Sequence, residues 1–131
     1  MSTTDDTYYL ISSGIPILPR NKLIFPESWH EQDRLIDLIS KYNKKVLLLS
    51  GDVHFSQVRA LPCSVPGLPY RLHEVTSSGM THTCEQHTLN PKKGMCSFMV
   101  NTLWTDEVIA HPIVSEYSYS VLTFSDNGIR V

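Results

Sequence analysis

Residues 46–49, Val-Leu-Leu-Leu, are a continuous aliphatic run with Lys44-Lys45 before it and Ser50-Gly51 after it. The run does not alternate, so a strand built from it is apolar on both faces and needs cover on both. That requirement suits a parallel or mixed sheet beneath a second layer of structure. Beyond the Ser-Gly break the chain presents Asp52 and His54, two positions apart. In open α/β sheets ligands bind outside the carboxyl ends of the strands, where the connecting loops leave a crevice. If the backbone stays extended here, alternate residues share a face, and the carboxylate and the imidazole converge on one metal ion or phosphate. Gly51 also permits close approach of a ligand or of backbone. The competing reading is a Ser-Gly-Asp turn with an incidental histidine, and spacing alone leaves both open.

The segment before this strand predicts the covering layer. Ser28-Trp29-His30-Glu31 has capping-box spacing, in which the serine hydroxyl and the glutamate carboxylate satisfy amides of the first helical turn. Leu35, Leu38, Ile39 and Tyr42 then recur at i, i+3, i+4 and i+7, an apolar stripe on one helix face. Asp33, Asp37 and Lys41 fall on the solvent side, with Asp37 and Lys41 spaced to pair across a turn. Asn43-Lys44-Lys45 suits the helix end, where cations meet the negative pole of the helix dipole. A helix followed at once by a buried strand is half of an α/β unit.

The rest of the chain reads as strands and turns. Tyr8 to Ile11 is a short β-prone run closed by Ser12-Ser13-Gly14, and Ile15 to Pro26 is proline-punctuated and irregular. Residues 1–7, polar and acidic, are expected to be disordered. Strands are predicted over Tyr70–Thr76, Cys96–Leu103, Glu107–Ala110 and Tyr117–Phe124, with loops at Pro62–Pro69 and Asn90–Gly94. Ser125-Asp126-Asn127-Gly128 is a hairpin signal that returns the chain through Ile129 to Val131. Trp29 and Trp104 are read as core aromatics. The fold class is therefore α/β, one domain over residues 1–131, with a mixed sheet, one main amphipathic helix and C-terminal β-hairpins.

Charge and cysteine usage remove several classes of function. The formal net charge is −2 and no lysine or arginine cluster exceeds a pair, so the electrostatic footprint of a nucleic-acid binder is missing. No apolar run approaches the roughly 20 residues that span a bilayer. The polar start is unlike a secretory signal. Cys63, Cys84 and Cys96 are odd in number and lack Cys-x-x-Cys spacing, which argues for reduced thiols and, by default, a cytoplasmic protein.

Two further candidate sites arise from the residues. Glu74-Val75-Thr76-Ser77-Ser78-Gly79-Met80-Thr81-His82 runs from a strand into hydroxyls, a glycine and a histidine. Such a loop binds phosphate through hydroxyls and amides, as anion-binding nests do; the bland alternative is a solvated turn with His82 at the surface. His82, Cys84, His87 and Cys96 offer two imidazoles and two thiols. Their spacing matches none of the usual structural zinc patterns, so a zinc knot is disfavoured.

Four blocks carry a family resemblance: Leu10-Ile11-Ser12-Ser13-Gly14-Ile15-Pro16-Ile17-Leu18-Pro19, Glu27-Ser28-Trp29, Leu49-Ser50-Gly51-Asp52-Val53-His54-Phe55, and Glu74 to His82. Their order resembles PhoD-like phosphatases, metal-dependent phosphoesterases of the calcineurin-like superfamily. The pairing of Ser-Gly-Asp-Val-His with Glu-Val-Thr-Ser-Ser-Gly is its most specific part, and the likeness spans roughly residues 8–128. The resemblance implies the C-terminal portion of a layered metallophosphoesterase α/β sandwich that hydrolyses phosphate esters through metal-activated water. It implies Asp52 and His54 as metal ligands, and Ser77, Ser78 and Gly79 as a phosphate loop. His82 and Ser78 would be its catalytic residues, lining the phosphate pocket or steadying a ligand.

The same resemblance exposes what the chain lacks. The superfamily builds a two-metal centre from an Asp-x-His, a Gly-Asp, an Asn-His-Asp or Asn-His-Glu, a lone His and a final Gly-His-x-His. This branch writes Asp in place of the first histidine of the last motif, and only that motif is present. A two-metal site needs about half a dozen ligands to hold ions roughly 3.5–4 Å apart. Calcium, iron, manganese or zinc would thus be only partly ligated, and the chain alone is expected to be inactive. It is expected to be part of a longer hydrolase; the alternatives are a short form that pairs with a second chain over its sheet edge, and a noncatalytic interaction remnant.

Overall fold

The computed structural model of the protein describes residues 7–19, 28–61, 68–83 and 108–131. Strand β1 (Tyr8–Ser12) leads to helix α1 (Ser28–Tyr42) and strand β2 (Lys45–Ser50). After these come β3 (Ser56–Ala60), β4 (His73–Ser77), β5 (Val108–Val114), β6 (Thr123–Ser125) and β7 (Gly128–Arg130). Five strands form one sheet in the order β1-β2-β4-β3-β5, and β6 and β7 form a separate hairpin. β1 and β4 both run parallel to β2, Leu10 facing Leu47 and Leu48 facing Glu74. β3 is antiparallel to both β4 and β5. The sheet is therefore mixed, as expected, with its parallel half built on a β1-α1-β2 unit.

The aliphatic run forms β2 for the reason its pattern implies. Val46 and Leu48 turn to one face and pack with Ile36 and Ile39 of α1 and with Leu18, Leu61 and Leu72. Leu47, on the opposite face by strand alternation, is also buried, as is Val75 on β4. The helix lies over the sheet with a different stripe from the one predicted. Its inward residues are Gln32, Leu35, Ile36 and Ile39, while Leu38 is 49% and Tyr42 62% exposed. The phase is set by a polar residue: the Gln32 side-chain amide donates to the carbonyls of Ile17 at 2.9 Å and Leu18 at 2.7 Å. A search for apolar periodicity passes over such a glutamine. Lys41, expected beside Asp37, lies over the Tyr42 ring at 5.5 Å, and an exposed ion pair forms between Arg34 and Glu31 at 3.1 Å. The helix closes at Asn43 in the left-handed region, φ 46°, in keeping with its sequence.

Three strand expectations change. β3 is a strand that the sequence does not announce, because Ser-Gln-Val-Arg-Ala reads as surface; it is an inner strand in which Gln57 and Arg59 are buried. β5 extends beyond Ala110 through Pro112 to Val114 and lies at a sheet edge, where a residue without an N–H is tolerated. Of Tyr117–Phe124 only the last part is strand. Residues 117–122 alternate in exposure, with Tyr117, Tyr119 and Val121 outward and Ser118, Ser120 and Leu122 half-buried. Their amides bond to the β4 loop: Ser118 N–H donates to Gly79 O, and Ser120 N–H to the Ser77 hydroxyl, both at 3.1 Å. The C-terminal hairpin forms, its positive φ of 123° carried by Gly128. The predicted strand over Cys96–Leu103, Trp104, and residues 1–6 lie outside the described residues. Among the described residues no helix is long and apolar enough to cross a membrane.

Candidate functional site

β2 and β4 are parallel neighbours and end level with each other, Ser50 facing Thr76, so the Gly51–His54 turn and the loop from Ser77 onward leave the sheet at the same edge. The hydroxyls of Ser50 and Thr76 share a 2.8 Å hydrogen bond. One step further, the Ser78 hydroxyl oxygen accepts the amides of Val53 at 3.1 Å and His54 at 3.2 Å. The turn and the Ser77–Gly79 loop are thereby tied into one unit. Accepting two amides leaves the Ser78 proton available to donate.

Gly79 is required by closeness rather than by backbone conformation. A Cβ there would sit 2.6 Å from Ser118 Oγ and 2.9 Å from the Glu116 carbonyl. The segment around Ser118 is strapped across the loop by the Gly79 and Ser77 bonds and by a 2.9 Å contact between the Ser118 and Ser56 hydroxyls. Gly51 has more room, its nearest neighbours on a Cβ being carbonyls at 3.9 Å.

The extended backbone assumed for Asp52-Val53-His54 is not present. Asp52 and His54 each adopt φ 61°, in the left-handed region, so the alternation that would set their side chains on a common face does not apply. Each such residue costs about 1–2 kcal/mol, less for Asp, whose short side chain tolerates this region better. His54 instead lies beside His82, the ring centroids 5.8 Å apart and the planes tilted by 32°. His82 Nδ1 is 3.1 Å from the Thr81 hydroxyl. Asp52, His54, Ser77 and His82 are exposed, Ser78 is half-buried and Gly79 buried. Among the described residues no three His, Cys, Asp or Glu side chains are grouped to hold a metal ion. Cys84, His87 and Cys96 lie outside the described residues.

Residues that frame the site are legible in the sequence only in part. Glu74, one residue of a quoted motif, is fully buried, and its carboxylate accepts the amides of Ile17 at 2.7 Å and Leu18 at 2.9 Å. With Gln32 on the carbonyls of the same two residues, it pins the segment after β1 to both α1 and β4. A glutamate inside a β-prone run is the available signal. Ser118 gives none, because its place depends on a fold-back across the Gly79 loop.

Among the described residues the donor set is two imidazoles side by side, with a carboxylate in the same turn but not grouped with both. It does not fit a two-metal centre. Comparison with family models, with curated proteins and with solved structures found no match to this chain.

Proposed function

We propose that the chain carries the metal-binding end of a PhoD-like phosphoesterase site and acts on phosphate esters together with ligands that these 131 residues do not contain. The observation that carries this reading is the joint delivery of His54, His82 and the Ser77–Gly79 loop to one carboxyl edge of parallel strands, tied by the Ser78 hydroxyl. Asp52 and His54 would hold the ion. A bound divalent ion or iron supplies a Lewis acid and makes water a stronger nucleophile near neutral pH. The Ser77 and Ser78 hydroxyls keep protons to donate to phosphate oxygens, and the Ser118 strap holds their loop still. His82 stands where an imidazole can orient a phosphate oxygen or exchange a proton with it.

The test compares the 131-residue chain with a longer product that includes the preceding coding sequence. Supplied with Ca²⁺, Mn²⁺, Zn²⁺ or iron, the chain alone should turn over a chromogenic phosphate ester negligibly. In the longer product Asp52→Ala and His54→Ala should lower bound metal and hydrolysis together. Unchanged metal content and turnover in both variants would remove the assignment. A second, noncatalytic reading is favoured by one observation: the outer edge of β1 is uncharged, with Tyr8, Tyr9 and Leu10 exposed, which suits strand addition by a partner chain.

A further inference from the structure

Among the described residues, the rings of His54 and His82 lie side by side at the carboxyl edge of the sheet, tilted by 32°. Both are exposed, so neither ring is there to fill space. With Zn–N bonds of about 2.0–2.1 Å, two imidazoles on one tetrahedral ion have ring centres roughly 5 Å apart. The observed 5.8 Å is within about 1 Å of that separation.

Two more features favour a ligand at this place. His82 Nδ1 lies 3.1 Å from the Thr81 hydroxyl. A histidine that donates Nδ1–H to such an oxygen presents its Nε2 lone pair, the arrangement found where imidazoles bind metals. The backbones are also tied: the His54 amide donates to the Ser78 hydroxyl at 3.2 Å, and Ser78 precedes His82 in the same loop. An ion at this point meets two imidazoles whose backbones are already brought together, so less ordering is needed on binding.

We propose that His82 is a metal ligand, and that with His54 it forms a two-imidazole clamp selective for nitrogen-preferring ions such as Zn²⁺ over Ca²⁺ or Mg²⁺. The selectivity comes from ligand type, since imidazole suits zinc, copper, nickel and iron, whereas calcium and magnesium take oxygen donors. The Asp52 carboxylate given a metal role above, together with water, completes the shell. The inference rests on the metal role given to His54 above and moves His82 from the phosphate side of the site to the metal side.

Calorimetric titration of the 131-residue chain with Zn²⁺, and separately with Ca²⁺, tests it. One Zn²⁺ per chain and no Ca²⁺ heat are expected. His82→Gln and His54→Asn should each weaken Zn²⁺ binding by at least about tenfold, with the double variant little worse than either single one, as expected for a chelate. Asparagine keeps a residue that tolerates the left-handed backbone at position 54. His30→Ala, a change to an exposed helix histidine, should leave binding unchanged. Weaker binding in His54→Asn with full affinity in His82→Gln would overturn the clamp and leave the His54 assignment standing. Full affinity in both would overturn both, as would Ca²⁺ binding as tightly as Zn²⁺.

Discussion

At His54 the backbone holds a φ of 61°, where Cβ crowds the following carbonyl. The usual order of glycine and alanine should therefore invert. His54→Gly should unfold at higher denaturant concentration than His54→Ala, by about 1 kcal/mol, because glycine takes this conformation without strain. Equal midpoints would mean that the turn relaxes once the imidazole is gone. Tyr70 gives a second residue-scale test. Its phenol accepts the Val46 amide at 2.9 Å and donates to the Lys44 carbonyl, joining the end of α1 to the start of β2. Burial raises its pKa above 10.0, the Val46 amide opposing. The unfolded chain loses this proton first, so between the two values the native state binds more protons and stability falls as pH rises. Below the unfolded value the contribution is complete. Tyr70→Phe should cost about 1–3 kcal/mol at neutral pH by orphaning the Val46 amide. It should also flatten the alkaline limb of a urea-midpoint profile, and an unchanged limb would assign that slope to other groups. Asp52, His54 and the Ser-Ser-Gly loop can be found by reading along the chain. The closeness of His54 to His82 cannot, because it depends on two left-handed residues that no side-chain pattern reports.

Between elements, buried polar groups set the arrangement as firmly as the aliphatic core. Glu74 on β4 and Gln32 on α1 take up both amides and both carbonyls of Ile17 and Leu18, and Leu18 is wholly buried. Glu74→Ala would leave two donors without an acceptor and should destabilise the protein by about 3 kcal/mol or more, read as a shift in denaturation midpoint. A loss below about 1 kcal/mol would mean that water replaces the carboxylate. This clamp also explains why residue spacing finds the helix but gives it the wrong phase. Leu38 and Tyr42 look like core because they are apolar, whereas Gln32 holds the inward position through hydrogen bonds that a hydropathy pattern cannot register. The Gly79 loop depends on the same kind of fit. Gly79→Ala would force Ser118 and the Glu116 carbonyl to retreat, a cost of about 1–3 kcal/mol typical of overpacking. Native-state hydrogen exchange should then show faster exchange at the Ser118 and Ser120 amides, and unchanged rates there would mean that the strap moves as a unit.

For the whole molecule, the aliphatic strands and the terminal hairpin are legible because burial on both faces and a Gly-containing turn leave direct traces in sequence. The inner strand β3 is not, since Gln57 and Arg59 are buried polar residues and resemble surface until the sheet is assembled. Assembly also leaves the two sheet edges unlike each other. β5 carries Pro112, which removes a donor from its ladder, whereas β1 has neither proline nor charge in Tyr-Tyr-Leu-Ile-Ser. Such an edge is a template for another strand. Beside this edge Lys45 lies over Tyr8 at 5.4 Å and Lys44 over Tyr9 at 5.5 Å. These ammonium groups repel a like edge that approaches, and salt screens that repulsion over a Debye length of about 10 Å at 0.1 M and less at higher salt. The chain should therefore self-associate with rising concentration, and more so at high ionic strength. Leu10→Lys adds a charge to an exposed position of the edge strand and should hold the protein monomeric in sedimentation velocity across the same range. If the variant associates as strongly as the parent chain, pairing does not run through β1. If association weakens as salt is added, attraction between opposite charges, rather than strand addition at an uncharged edge, brings the copies together.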